Sequence, residues 1–208
     1  MCSRSWFEDH IRNALPELIL SDEQLTSLYR HFELLNRWNE RMDLTSVDTP
    51  EEIVRRHYCE SLFFGYQVPL GEVSLSVLDF GSGAGFPGLP LAILNPNWRV
   101  TLLEANQRRA VFLKEAAREI ANVSVIAERG EKFDQRHDFV VARAVNVPEV
   151  LRCIPRLANQ VGLLIGESAI SSLSKACKWC ERVPIPWSES RCCIFGTFHV
   201  EHCGRLGQ

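Results

Sequence analysis

The sequence has little lysine. Only Lys114, Lys132, Lys175 and Lys178 stand among its 23 basic residues, and the formal net charge is -3. A polyanion binder normally carries a basic field. No global field announces a nucleic acid here, so any such face must be local. The other 19 cations are arginines, which grip phosphate bidentately, although codon usage explains such a share equally well. No stretch approaches the ~20 apolar residues of a membrane span, and Met1 to Trp6 lacks a basic segment leading into an apolar one. The expectation is a soluble, cytoplasmic chain with no membrane partner. Internal repeats and low-complexity segments are also missing. What is left, over 208 residues, is length for one well-buried α/β unit with a short extension.

Cysteine, in contrast, is present eight times, at 2, 59, 153, 177, 180, 192, 193 and 203. Without a secretion signal these read as reduced thiols. Cys177-x-x-Cys180, Cys192-Cys193, His199, His202 and Cys203 are numerous enough for a zinc site. Cys177 and Cys180 read as lying on a helix, however, and adjacent cysteines in a strand point to opposite faces. No metal is expected.

The first third reads as helical. Ser21-Asp22-Glu23-Gln24 is a capping box ahead of Leu25, Leu28, Phe32, Leu35 and Trp38, which share one helical face. Thr49-Pro50-Glu51-Glu52 is a second, with Pro50 at the first helical position of a helix ending near Gly65. Met42–Ser46 is a loop. From about residue 75, strands and helices alternate. Strands are expected at 75–80, 100–103, 123–127, 139–142 and 163–165, and helices at 88–94, 107–120, 148–157 and 173–180. A final strand over 192–200 can form a hairpin with 183–187. Alternation implies a doubly wound, mostly parallel sheet whose strand-end loops share one ligand-binding rim. The expected division is an N-terminal helical extension, 1–68, packed on one unit, 69–208.

The chemistry gathers at strand ends. Asp79-Phe80-Gly81-Ser82-Gly83-Ala84-Gly85-Phe86-Pro87-Gly88 follows a strand and opens a helix, the context a glycine-rich nucleotide loop needs. Glycine turns sharply and leaves no Cβ between chain and ligand. Gly83-x-Gly85-x-x-Gly88 also fits a nicotinamide fingerprint, so spacing alone does not choose the ligand. Asp79 suits a cationic amino-acid end, directly or through water, and Pro87 removes an amide that a phosphate turn would use. Both favour S-adenosylmethionine. Glu104, about 20 residues on, can accept ribose hydroxyls; it can equally be a solvated strand-end carboxylate. Glu128-Arg129-Gly130-Glu131 can read a base edge through the Gly130 and Glu131 amides, or be a plain polar turn. Arg108 and Arg109 open the next helix against its dipole.

At Ala142-Arg143-Ala144-Val145 there is neither an Asn/Asp-Pro-Pro-aromatic motif nor a Pro-Cys. The first would suggest an exocyclic amine as the methyl acceptor and the second a cysteine nucleophile. Arg143 stays protonated, so it suits positioning and not proton abstraction. A Rossmann oxidoreductase, or an RNA-binding module that keeps a donor pocket as a remnant, are the competing readings.

Together these residues resemble the bacterial 16S rRNA (guanine-N7)-methyltransferase G family, first known as glucose-inhibited division protein B. The likeness runs through Trp38-Asn39, Leu44-Thr45, Arg56-His57-Tyr58-x-x-Ser61-Leu62 and the loop from Asp79 to Leu91. It continues in Leu102-Leu103-Glu104, Phe112-Leu113-Lys114 and Ala142-Arg143-Ala144. The resemblance implies a Rossmann-like class I methyltransferase fold with donor contacts at Gly81, Phe86, Gly130, Glu131 and Arg143; Gly83 and Glu104 join them from the reading above. It also implies the target, guanine 527 in the 530 loop of 16S rRNA, met as RNA or small subunit. Separately, a monomer with no obligate protein partner is expected. Guanine N7 carries a free lone pair, so alignment can suffice without a base. Arg55, Arg56, Arg108 and Arg109 are the phosphate-contact candidates. Two positions depart from the family: Asp43 replaces a usual asparagine, and Gly166-Glu167 a usual Lys-Gly.

Overall fold

Capping places the first helices. A computed structural model describes residues 2–68, 74–143, 147–173 and 177–198. Its chain opens with α1 (Arg4–Ala14) and α2 (Asp22–Asn39). Ser21 Oγ accepts the Gln24 amide at 3.2 Å and Gln24 Oε1 accepts the Ser21 amide at 2.9 Å, so the first capping box closes. Thr49 Oγ1 accepts the Glu52 amide at 3.2 Å and starts α3 (Pro50–Ile53). The helix then continues through a π-helical stretch, Val54–Cys59, into α4 (Glu60–Tyr66). A π turn adds a residue and shifts the helical phase. Here it leaves Tyr58 and Glu60 buried and His57 half-buried against the rest of the molecule.

The alternating part follows as β1 (Ser76–Phe80), α5 (Gly88–Leu94), β2 (Arg99–Leu103), α6 (Gln107–Ala116) and β3 (Val123–Ile126). After it come β4 (Phe139–Arg143), α7 (Val147–Leu157), β5 (Gln160–Gly166), a 3-10 stretch Glu167–Ser172, β6 (Cys177–Pro184) and β7 (Arg191–Phe198). They form one sheet in the order β3-β2-β1-β4-β5-β7-β6, with only β7 antiparallel to its neighbours. Strand order reverses between β1 and β4, which opens a crevice at their C-terminal ends.

One expectation fails. The helix expected over 173–180 is overturned at its C-terminal part: Cys177–Pro184 is the edge strand β6, and residues 174–176 fall outside the described residues. Its partners explain the change. Cys177 registers with Phe198 and Pro184 with Cys192, with an irregularity between Trp179 and Glu181. Pairing with β7 outweighs the local helical preference of a Lys-Ala-Cys-Lys run. Cys177 therefore lies on a strand, while His199, His202 and Cys203 fall outside the described residues. Cys192 and Cys193 belong to apolar clusters on opposite faces of the sheet. Among the described residues no three His, Cys, Asp or Glu side chains converge on a metal position, and no helix is long and apolar enough to cross a membrane.

The two faces are unequal. One carries Phe7, Phe32, Leu35, Tyr58, Phe64, Leu89, Phe112 and the inward residues Val77, Leu102 and Val141. The N-terminal helices thus share a core with the sheet. The other face is covered by Val150, Ile154 and Leu157 of α7, with Phe133, over Leu78, Val140 and Leu163.

Candidate active site

At the end of β1 the chain must turn without side chains in its way. Gly81, Gly83 and Gly85 have φ of 75°, 57° and 91°, values at which a Cβ is strained. The Gly81 and Ser82 amides donate to Leu103 O at 2.9 and 3.0 Å, which ties the loop to β2. Gly88 serves packing instead. A Cβ there would lie 2.4 Å from Leu102 Cδ2 and 2.5 Å from Asp79 Oδ2, so its absence lets α5 press on the sheet.

Two carboxylates organise the loop. Glu104, buried at the end of β2, accepts the Gly83 amide at 2.9 Å through Oε2 and the Asn106 amide at 2.7 Å through Oε1. A carboxylate has about four acceptor positions, so capacity for hydroxyl donors remains. Asp79 has no exposed surface. Its Oδ2 accepts the Gly88 amide at 3.0 Å, and Oδ1 is buried without a partner. Burial, more than any neighbour, raises its pKa to about 7. Asn106 Oδ1 caps α6 by accepting the Arg108 and Arg109 amides at 2.9 and 3.2 Å.

Beside Glu104 lies a cavity of about 200 Å³, lined by Phe80, Gly81, Leu103, Glu104, Gly130 and Glu131 among others. The Gly130 backbone rests on the Phe80 ring: an added Cβ would meet Phe80 Cζ at 2.0 Å. Arg156 of α7 holds this turn by donating to Gly130 O and Phe133 O.

The opposite wall comes from the N-terminal helices. His31 Nε2 bonds Ala84 O at 3.0 Å, so it carries the proton, and Nδ1 accepts the Tyr58 hydroxyl at 3.0 Å. Phe86 sits under the His57 ring, with centroids 4.8 Å apart. Arg143, at the end of β4, donates to His57 Nδ1 at 2.7 Å, to Arg56 O at 2.6 Å and to Glu60 Oε2 at 3.4 Å. Glu60, almost wholly buried, also pairs with Arg191 at 2.8 Å. The buried Arg143 and the half-buried Arg191 thus share one carboxylate, and the buried Nε of each has no partner.

Burial lowers the His31 pKa from 6.5 to about 4; burial, helped by the Arg143 charge, lowers that of His57 further. Each imidazole then contributes stability that is present above pH 6.5 and lost as pH falls towards its folded value. Asp79 acts in the other direction, its contribution fading as pH rises from 3.8 through about 7. In a histidine-resolved NMR titration, both rings are expected to keep neutral shifts at pH 5. Midpoints near 6.5 would refute the assignment.

A family model described as rRNA small subunit methyltransferase G matches residues 24–182. The chain belongs to that family. Ribosomal RNA small subunit methyltransferase G of Nitrosomonas europaea is 44% identical over 137 residues, 63% of this chain and 62% of that protein. The protein of the same name from an Exiguobacterium strain is 38% identical over 146 residues, 65% and 61% of the two chains. This member of the methyltransferase G family therefore spans about three fifths of the length of those relatives. A SAM-dependent methyltransferase from Aquifex aeolicus superposes with a TM-score of 0.57 at 13% identity, over 76% of this chain and 97% of that one. That likeness establishes the Rossmann-like methyltransferase fold.

Within the family's matched span, the structure brings Gly81, Glu104, Gly130 and Glu131 to one cavity and ties Gly83 to Glu104. Phe86 and Arg143 lie across the loop, joined through His57. Arg55 is exposed and donates to Trp187 O at 2.6 Å; Arg56 is exposed on the same stretch. Arg108 is exposed and Arg109 half-buried at the start of α6, on the Glu104 side. The arginines thus sit on two flanks of the rim. His31, Glu60 and Arg191 escaped the sequence reading. Only His31 left a trace, falling three residues after Leu28 on the buried face of α2.

Proposed function

We propose that this chain transfers a methyl group from S-adenosylmethionine to N7 of a guanine in the 530 loop of 16S rRNA, nucleotide 527. Membership of the methyltransferase G family supports an rRNA substrate. The residues fit the donor. The free acceptor capacity of Glu104 suits ribose hydroxyls, the unpaired Asp79 Oδ1 suits an ammonium reached directly or through water, and the Gly130 turn closes the base end. Gly81, Gly83, Phe86, Glu131 and Arg143 complete the holding set. When bound, the donor supplies an electrophilic methyl on a sulfonium.

The observation that carries the choice of N7 is at the end of β4. Arg143 keeps its charge there, with its pKa lowered by burial only to about 10, and both nitrogens of His57 are engaged. Such a rim orients a nucleophile and offers that imidazole no role as a base, which suits an atom with a ready lone pair. The chain's work is to hold the guanine in line, exclude water and keep the reacting atoms near contact. Arg55 and Arg56 on one flank and Arg108 and Arg109 on the other hold the RNA backbone. Residues 1–68 serve as an extension that braces the 69–208 unit through His31, His57 and Glu60.

The test uses tritiated donor with naked 16S RNA and with small subunits, read by borohydride and aniline cleavage. Label at the 530-loop guanine is expected. Label confined to protein, or to another nucleotide, would overturn the proposal.

A further inference from the structure

His57 has three partners that no other side chain in the site combines. Thr45 Oγ1, in the loop after α2, lies 2.7 Å from Nε2, Arg143 Nη1 lies 2.7 Å from Nδ1, and the Phe86 ring stacks beneath at an interplanar angle of 25°. Proton positions follow from donor counting. Arginine only donates, so Nδ1 must be bare. The single ring proton is then on Nε2 and goes to Thr45 Oγ1, which also accepts the Val47 amide at 3.1 Å. A charged imidazolium would turn an N–H towards a guanidinium and lose the bond. The donor-only Arg143 therefore selects the tautomer, and Thr45 Oγ1 supports it by accepting the Nε2 proton.

Arg143 needs that acceptor. Its carboxylate contact to Glu60 is long, at 3.4 Å, and Glu60 is shared with Arg191 at the shorter distance of 2.8 Å. The two short bonds that orient the guanidinium run to His57 Nδ1 and to Arg56 O. The same ring lies flat on Phe86 of the glycine loop.

We propose, building on the methyl transfer proposed above, that His57 is a positioning residue: its neutral ring, held by Thr45, fixes Arg143 at the end of β4 against Phe86 of the donor loop. The two sides of the donor site are thereby coupled through one side chain. Loss of the acceptor leaves Arg143 free to turn towards Glu60 and away from the donor.

The test measures S-adenosylhomocysteine affinity by calorimetry on the whole chain, for wild type, His57→Leu, His57→Asn, Arg143→Met and the His57→Leu/Arg143→Met pair. His57→Leu is expected to weaken binding by roughly 10–100-fold, the range for removing a supporting partner. His57→Asn, whose Oδ1 replaces the Nδ1 acceptor, is expected to keep most of the affinity. In the Arg143→Met background, His57→Leu is expected to cost less than about 2-fold more, because its effect runs through the lost arginine. A merely structural histidine would give additive losses and no rescue by asparagine, and either result overturns the inference. Thermal melting identifies any variant that fails to fold; if His57→Leu does, the same cycle run with His57→Gln, which lacks the acceptor at the Nδ1 position, decides. A wild-type chain that binds no S-adenosylhomocysteine sinks the proposed donor site and this inference together. Additive losses in a wild type that does bind it sink only the inference.

Discussion

Replacing Glu60 by leucine is expected to destabilise the fold by roughly 3–5 kcal/mol, the cost of removing one partner from a buried ion pair. Glu60 is 1% exposed, and the Arg143 and Arg191 side chains are 6% and 18% exposed. Burial raises the Glu60 pKa, against which the Arg143 and Arg191 charges hold it down. Removal leaves two guanidiniums at the ends of β4 and β7 with no carboxylate between them. Their unpartnered Nε atoms already show that the surroundings have few acceptors to spare. At a typical urea slope of ~2 kcal/mol per molar, the midpoint drops on the order of 2 M. Glu60→Gln keeps an acceptor oxygen but no charge, so it should fall between wild type and leucine. A loss below about 1 kcal/mol for leucine would mean that the arginines reach water in solution and that Glu60 does not organise them.

Such a cluster could not be read from the sequence. Glu60 and Arg143 are far apart in the chain, and Glu60 lies in an apolar run, Tyr58 to Phe64, that reads as helix whatever its acid does. The π-helical stretch before it sets which residues turn inward, and no spacing rule announces that. The glycine loop is the opposite case. Its strand-turn-helix context, its closely spaced glycines and the acid at the next strand end are local features; the Gly83–Glu104 bond that joins them is seen only in the structure. The parallel strands were legible for a similar reason: five short apolar runs between helical patterns leave few alternatives. The edge was only partly so. The hairpin with β7 was visible at 183–184, but pairing along β7 carries the strand back to Cys177, into a segment whose own residues favour helix. His31 falls between the two cases: its place on the apolar face of α2 is visible, but its bond to Ala84 of the loop is not.

Gly83→Asp is expected to weaken S-adenosylhomocysteine binding by on the order of 100-fold or more, about 2.7 kcal/mol or above, without unfolding the chain. The geometry separates these two effects. A Cβ on Gly83 would meet nothing nearer than Gly81 O at 3.9 Å, so the protein has room for it. The φ of 57° costs a non-glycine residue about 1–2 kcal/mol, and aspartate tolerates it better than most. The new side chain instead enters the open side of the loop, beside Glu104, where the donor is proposed to lie. There it adds bulk and a second negative charge next to an existing carboxylate and the donor's own. Two like charges about 4 Å apart repel by ~1 kcal/mol in water and ~4 kcal/mol in a partly screened site. Gly83→Asn matches the size without the charge and should lose less, and Gly83→Ala less again. Gly88→Ala is the control from the same loop. Its Cβ would meet Leu102 and Asp79 at 2.4 and 2.5 Å, so the damage there should appear in the melting temperature. Should Gly83→Asp bind S-adenosylhomocysteine as tightly as wild type, the donor does not lie against this turn, and the roles given to Glu104 and Asp79 fall with it.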